Sequence, residues 1–125
     1  MQEDAGFDIT WDRDGPILIA TLRGFWSLET VDGFYAALRN RLAERPGQSF
    51  DMVSEMTGFP TQSREVQEAM QKVTQELVPR GFRRGAAVTN SALTRLQANR
   101  AAERDNLNRR WFETLDEAIA SLRAG

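Results

Sequence analysis

The side chains able to do chemistry in this 125-residue chain are few, and the absences decide most of the matter: it contains no His and no Cys. Without them, Ser-His and Cys-His nucleophile pairs, His-based metal sites and thiolate ligands cannot be assembled. The single lysine, Lys72, falls away from the apolar face formed by Val66, Met70, Val73 and Leu77, so it lacks the desolvation that a Schiff-base amine needs. Carboxylates remain as candidate acids and bases. Asp51 and Glu55 share one face of an extended segment, but four residues of strand place them roughly 13 Å apart, too far for a coupled pair. Glu55 alone is of more interest, because it falls at the carboxyl end of a strand, where open α/β sheets form their crevices. Its competing role is structural, as a partner for an arginine or a cap on the following loop. Two carboxylates are too few oxygens for a hard-cation site. Arg80-Gly81-Phe82-Arg83-Arg84-Gly85 lacks both the glycine spacing and the lysine of a phosphate-binding loop, and is expected to be a turn. No catalytic residue, cofactor or metal is therefore expected.

The elements that must carry these residues can be followed along the chain. Phe7 to Trp11 alternates in polarity and Ile17 to Leu22 is a β-rich run, with Asp12, Asp14, Gly15 and Pro16 between them, which predicts a β-hairpin. After Gly24 the period changes to helical: Leu28, Val31, Phe34, Tyr35, Leu38 and Leu42 lie on one face, with Ser27 as N-cap and Pro46-Gly47 as the stop. Phe50 to Met56 is a short strand ended by Gly58 and Pro60, and Val66, Ala69, Met70, Val73 and Leu77 then define a second helix stopped by Pro79 and Gly81. Gly85 to Thr89 suits a buried central strand, and a third helix is expected from Asn90 or Ser91 to Asp105. Arg110 to Phe112 is a brief last strand, and Thr114 with Glu117 forms a capping box ahead of a fourth, amphipathic helix. This order predicts an α/β fold: an N-terminal hairpin, then alternating helices and strands, giving a mixed, mostly parallel sheet of about five strands with four helices. The length fits one domain spanning residues 1–125, stabilised by packing alone.

Three segments resemble the SpoIIAA-like superfamily, the fold of STAS and Sec14-type domains: Leu22-Arg23-Gly24-Phe25-Trp26-Ser27-Leu28-Glu29, Glu55-Met56-Thr57-Gly58-Phe59, and Arg110-Trp111-Phe112 ahead of Asp116-Glu117-Ala118. The order of elements extends the likeness over nearly the whole chain. The second segment is similar to the Asp-Leu-Ser-Gly-Val stretch preceding the switch loop of anti-sigma-factor antagonists, with Glu55 where that family has Asp. Counting onward, the family's Asp-Ser pair falls on Ser63-Arg64, so arginine occupies the phosphoacceptor position; Ser63 is one residue away and is also placed to cap the second helix.

The resemblance implies a non-enzymatic regulatory or protein-interaction domain, with Thr57 to Arg64 and the start of the second helix as contact surface. Its alternative is a binder of a small apolar ligand or lipid, of Sec14-like type, with Phe25, Trp26, Glu55 and Phe59 bordering the pocket. The candidate site residues are thus Phe25, Trp26, Glu55, Thr57, Phe59, Ser63 and Arg64. A homodimer through an open edge strand is a further expectation. Nucleic acid is not expected as a partner. Residues 64–125 carry 11 basic against 8 acidic side chains and residues 1–63 carry 5 against 10, but the arginines of the basic half are interleaved with Glu103, Asp105, Glu113, Asp116 and Glu117. The longest apolar run, Ile17 to Ala20, is too short for a signal peptide or a membrane span, so a cytoplasmic protein is expected.

Overall fold

The computed structural model describes residues 5–89, Leu96 and residues 109–124. Strands β1 (Gly6–Trp11) and β2 (Ile17–Arg23) form the expected antiparallel hairpin, closed by the Asp12 N–H donating to the Ile17 carbonyl at 2.8 Å. Helix α1 (Leu28–Ala43), β3 (Phe50–Glu55), α2 (Arg64–Leu77), β4 (Phe82–Val88), β5 (Arg109–Phe112) and α3 (Leu115–Arg123) follow. The five strands lie in sequence order, and every pairing after the hairpin is parallel. The described residues contain three α-helices, where four are expected. The helix predicted from Asn90 or Ser91 to Asp105 lies outside the described residues, apart from Leu96, which is helical.

Strand order explains the layering. Successive right-handed crossovers that each step one strand further in the same direction put their helices on the same face. Accordingly, Leu18, Ala20, Leu22, Phe50 and Met52 pack with Val31, Phe34 and Leu38 of α1 and Val66, Val73 and Leu77 of α2. The opposite face holds a second cluster, in which Ile17, Val53, Ala86 and Val88 pack under Ala118 and Leu122 of α3. β3 is covered on both faces, so its residues from Phe50 to Val53 are all buried.

One of those buried residues is Asp51, and it corrects the expectation of a turn across Arg80 to Gly85. Only Val78–Arg80 and Gly81, with its positive φ of 111°, form the turn; β4 starts at Phe82. Phe82 packs its ring on Phe50 at 5.9 Å, and Arg84 reaches Asp51 through Nη2 to Oδ2 at 2.7 Å and Nε to Oδ1 at 3.3 Å. These partners from a neighbouring strand extend β4 beyond what local residue preference suggests. Arg84 Nη2 also donates to the Leu122 carbonyl at 2.9 Å, fastening the end of α3 to the sheet. The hydrogen bond to Asp51 and the charge of its carboxylate together raise the Arg84 pKa, against an opposing effect of burial. A second clamp joins α3 to the hairpin turn: Arg123 makes a forked pair with buried Asp12, at 2.8 and 3.1 Å, and reaches Asp14 at 3.3 Å.

The outer edge of β1, an open edge in the expectation of a homodimer, is guarded by α1. The register that pairs Asp12 with Ile17 turns the Ile9 carbonyl away from β2, and Arg41 Nε donates to it at 2.9 Å. Beside it, Arg45 lies over the Trp11 ring at 4.2 Å and the Trp11 Nε1 donates to Glu44. An arginine occupying an edge carbonyl removes an acceptor that a second strand would need.

Candidate functional site

The carboxyl ends of β2 and β3 release two loops, residues 24–27 and 56–63, which run into the N-termini of α1 and α2. Each helix starts at a serine because a hydroxyl can satisfy a free N–H of the first turn. Ser27 accepts from the Thr30 N–H and Ser63 from the Val66 N–H, both at 3.2 Å. Ser63 therefore caps α2, the structural role its position in the sequence offers. Gly24 begins the first loop with φ of 72°, and a Cβ there would lie 2.9 Å from the Ala5 Cα, so a side chain is excluded on two counts.

The two loops are bound into one unit, and the residue that does this is Gln62. Its Oε1 accepts from the Trp26 N–H at 2.7 Å, and its Nε2 donates to the Gly24 carbonyl at 3.0 Å and the Pro60 carbonyl at 2.7 Å. The Gly24 N–H adds a direct bond to the Gly58 carbonyl at 3.0 Å, and Gln67 Nε2 holds the Gln62 carbonyl at 2.8 Å. Gln62 is buried. An amide side chain suits the position because it carries a donor and an acceptor together, matching one orphan N–H and two carbonyls. Sequence reasoning missed it. A lone polar residue between Pro60 and an N-cap serine carries no local sign that it is buried.

The predicted residues separate into three groups. Trp26 and Phe59 are buried and meet edge to face at 5.1 Å, while Trp26 also contacts Phe34 at 5.1 Å and Phe7 at 5.8 Å. The indole Nε1 donates to the Arg23 carbonyl at 2.8 Å. These two rings are core, and Phe25, the third residue placed around an apolar pocket, points the other way and is 71% exposed. Phe25 is exposed while the neighbouring Trp26 ring is buried, so the two do not line one apolar cavity here. Glu55 Oε1 accepts from the N–H of Thr57 at 2.8 Å and from its hydroxyl, so this carboxylate caps the loop. Asp51 lies at the other end of β3 under Arg84, and nothing brings it to Glu55. Arg64 is almost fully exposed and makes only a surface pair with Glu68 at 3.3 Å.

The described residues of this edge form a platform tied together by hydrogen bonds between its two loops. It presents Phe25 and Leu28, 71% and 47% exposed, beside Thr57, Gly58, Pro60, Ser63 and Arg64, all of them exposed. Lys72 is also exposed. Among the described residues, no group of three or more acidic side chains is placed to hold a metal ion. No helix among them is long and apolar enough to cross a membrane.

No protein-family model matches the chain, and no curated protein matches it. Solved structures do. An uncharacterised protein of the DUF3478 family with a SpoIIAA-like fold, from Shewanella loihica PV-4, superimposes with a TM-score of 0.77 at 17% identity, covering 98% of each chain. An anti-sigma factor antagonist from Mycobacterium paratuberculosis gives a TM-score of 0.67 at 14% identity, covering 96% of this chain and 95% of its own. At such identities the likeness is one of fold, and this chain has the SpoIIAA-like fold.

Proposed function

We propose that this chain is a single-domain, non-enzymatic regulatory module of the cytoplasm that binds a protein partner through the platform at the carboxyl edge of its sheet. Phe25, Leu28, Thr57 to Arg64 and the first turn of α2 form the contact surface. The observation that carries this reading is the exposure of Phe25, on the loop that buried Gln62 holds in place, and of Leu28, at the start of α1 beside it. Two large apolar side chains on a pre-organised surface are the makings of an interface centre, because little ordering entropy opposes docking. The anti-sigma factor antagonist is a regulatory protein of the same fold, which supports the class of function. The platform offers poor material for catalysis: Glu55, the carboxylate at the end of β3, is engaged by Thr57. No observation favours the apolar-ligand alternative, since Trp26 and Phe59 fill the space between themselves and Phe25 faces outward.

Native mass spectrometry of the protein purified from its own source, before and after denaturation, tests this. A protein chain that travels with the wild type and is lost from Phe25→Asp and Leu28→Asp, with circular dichroism unchanged, is the expected result. A complex that survives both substitutions refutes the platform as the contact surface. Release of a small apolar molecule on denaturation would move the assignment to a ligand-binding protein.

A further inference from the structure

The other face of the sheet opens between β4, β5 and α3. A cleft of about 80 Å³ opens there, bordered by Arg84, Ala86, Arg110, Phe112, Ser121 and Leu122. In parallel pairing Ala86 is the register partner of Arg110, so their side chains share a face, and Arg84, two residues before Ala86, shares it too. Two guanidinium groups thereby converge on one opening from adjacent strands.

Their states differ in a way suited to binding. Arg84 is held along one edge only: Nε and Nη2 fork onto Asp51, and Nη2 also donates to the Leu122 carbonyl. The Nη1 donors of this fixed group have no acceptor among the described residues. The Arg110 side chain is exposed and has neither hydrogen bond nor ion pair among them, and Ser121 lines the cleft from α3. Charge is unbalanced as well. Arg84 shares the Asp51 carboxylate with Arg83, which approaches it at 3.5 Å, and Arg110 adds a positive charge with no carboxylate paired to it among the described residues. The negative end of α3 is muted where it meets the cleft, because the Leu122 carbonyl is already taken by Arg84. Ala86, Phe112 and Leu122 complete the lining, most of which is polar.

We propose that this cleft binds a phosphate group, as the free ion or as a phosphomonoester. Planar arginine forks with unused donors match the oxygens of a tetrahedral oxyanion, and a hydroxyl supplies one further donor. The cleft exceeds the roughly 10–15 Å³ that a single water needs by the same measure and is well below the roughly 300 Å³ at which pockets begin to enclose larger ligands. The site is separate from the partner platform, so the two assignments stand or fall independently.

The test is a titration of the isotopically labelled full chain with inorganic phosphate and with methyl phosphate, followed by amide NMR shifts at ionic strength held constant with sodium chloride. Saturable shifts confined to Ala86, Arg110, Ser121, Leu122 and their neighbours are expected. Arg110→Gln, a surface change that leaves the core untouched, should weaken the binding about tenfold or more, the worth of a charge-assisted hydrogen bond. Arg110→Lys, which keeps the charge and loses the fork, should fall between. Saturation by inorganic phosphate alone assigns the free ion, and saturation by methyl phosphate assigns a monoester. Shifts that never saturate, or an affinity unchanged in Arg110→Gln, overturn the proposal.

Discussion

Replacing Gln62 by alanine should loosen the platform from within. The side chain satisfies the Trp26 N–H and the Gly24 and Pro60 carbonyls. Pro60 is exposed and its carbonyl can turn to water, whereas Gly24 and Trp26 are buried. Two buried backbone groups are thus orphaned, each at about 1–3 kcal/mol, so Gln62→Ala should lose about 2–6 kcal/mol in urea unfolding followed by tryptophan fluorescence. Gln62→Glu is the sharper variant, because it keeps the shape and removes the donor. One glutamate oxygen can still accept from Trp26, but the other faces two carbonyls and needs a proton to bind them. Its folded pKa should therefore rise above the ordinary value of about 4.3. A raised folded pKa contributes stability that is present below the unfolded value and is lost as pH rises through the folded one. The stability gap between Gln62→Glu and the wild type should accordingly be small near pH 4 and widen toward pH 7, by about 1.4 kcal/mol for each pH unit separating the folded from the unfolded pKa. A loss under about 0.5 kcal/mol for Gln62→Ala, or a gap independent of pH for Gln62→Glu, would refute the assignment of Gln62 as the buried bridge between the loops.

Arg84→Met leaves the buried Asp51 carboxylate with only Arg83 at 3.5 Å, and should cost about 3 kcal/mol, with part recovered in the Asp51→Asn, Arg84→Met double variant in a double-mutant cycle. Because the Arg84 pKa is raised above the ordinary arginine value, its contribution is present throughout the range below that value, so raising pH from 7 to 10 should not erode it through loss of the arginine proton. Arg41→Ala frees the outward Ile9 carbonyl and should promote self-association through β1, detected by sedimentation velocity; a variant that sediments as the wild type would show that the edge is blocked by other means. Ser63→Ala removes the cap of α2 and should cost about 1 kcal/mol in thermal or urea unfolding, while Ser63→Asp, whose carboxylate can accept the same N–H, should cost less.

The parts of the site that are legible in the sequence are those with local causes. Ser27, Ser63 and Thr114 cap helices because a hydroxyl three residues before a free N–H meets it whatever the rest of the chain does. The Glu55 carboxylate reaches a residue only two positions on, so its capping role is open to a local reading. The apolar pocket is not legible in the same way. Phe25, Trp26 and Phe59 are alike in composition, and only packing against Phe7 and Phe34 distinguishes the buried rings from the exposed one. The turn expected at Arg80 to Gly85 gives way to a strand for a related reason: charged and small residues argue for a loop until Phe50 and Asp51 are set beside them.

By itself the sequence determined the class of fold and excluded whole chemistries. Periodicity, caps and turn residues act over a few positions, and a chain without His or Cys cannot recover their reactions by folding. Tertiary structure alone decided which side chains face solvent, that Gln62 joins two loops, that Arg84 holds Asp51, and that Arg84 and Arg110 share a cleft. The partners in these contacts lie tens of residues apart in the chain, such as the 36 positions between Trp26 and Gln62 and the 33 between Asp51 and Arg84. Pairing at that distance is set by strand register and helix placement, which no local pattern encodes.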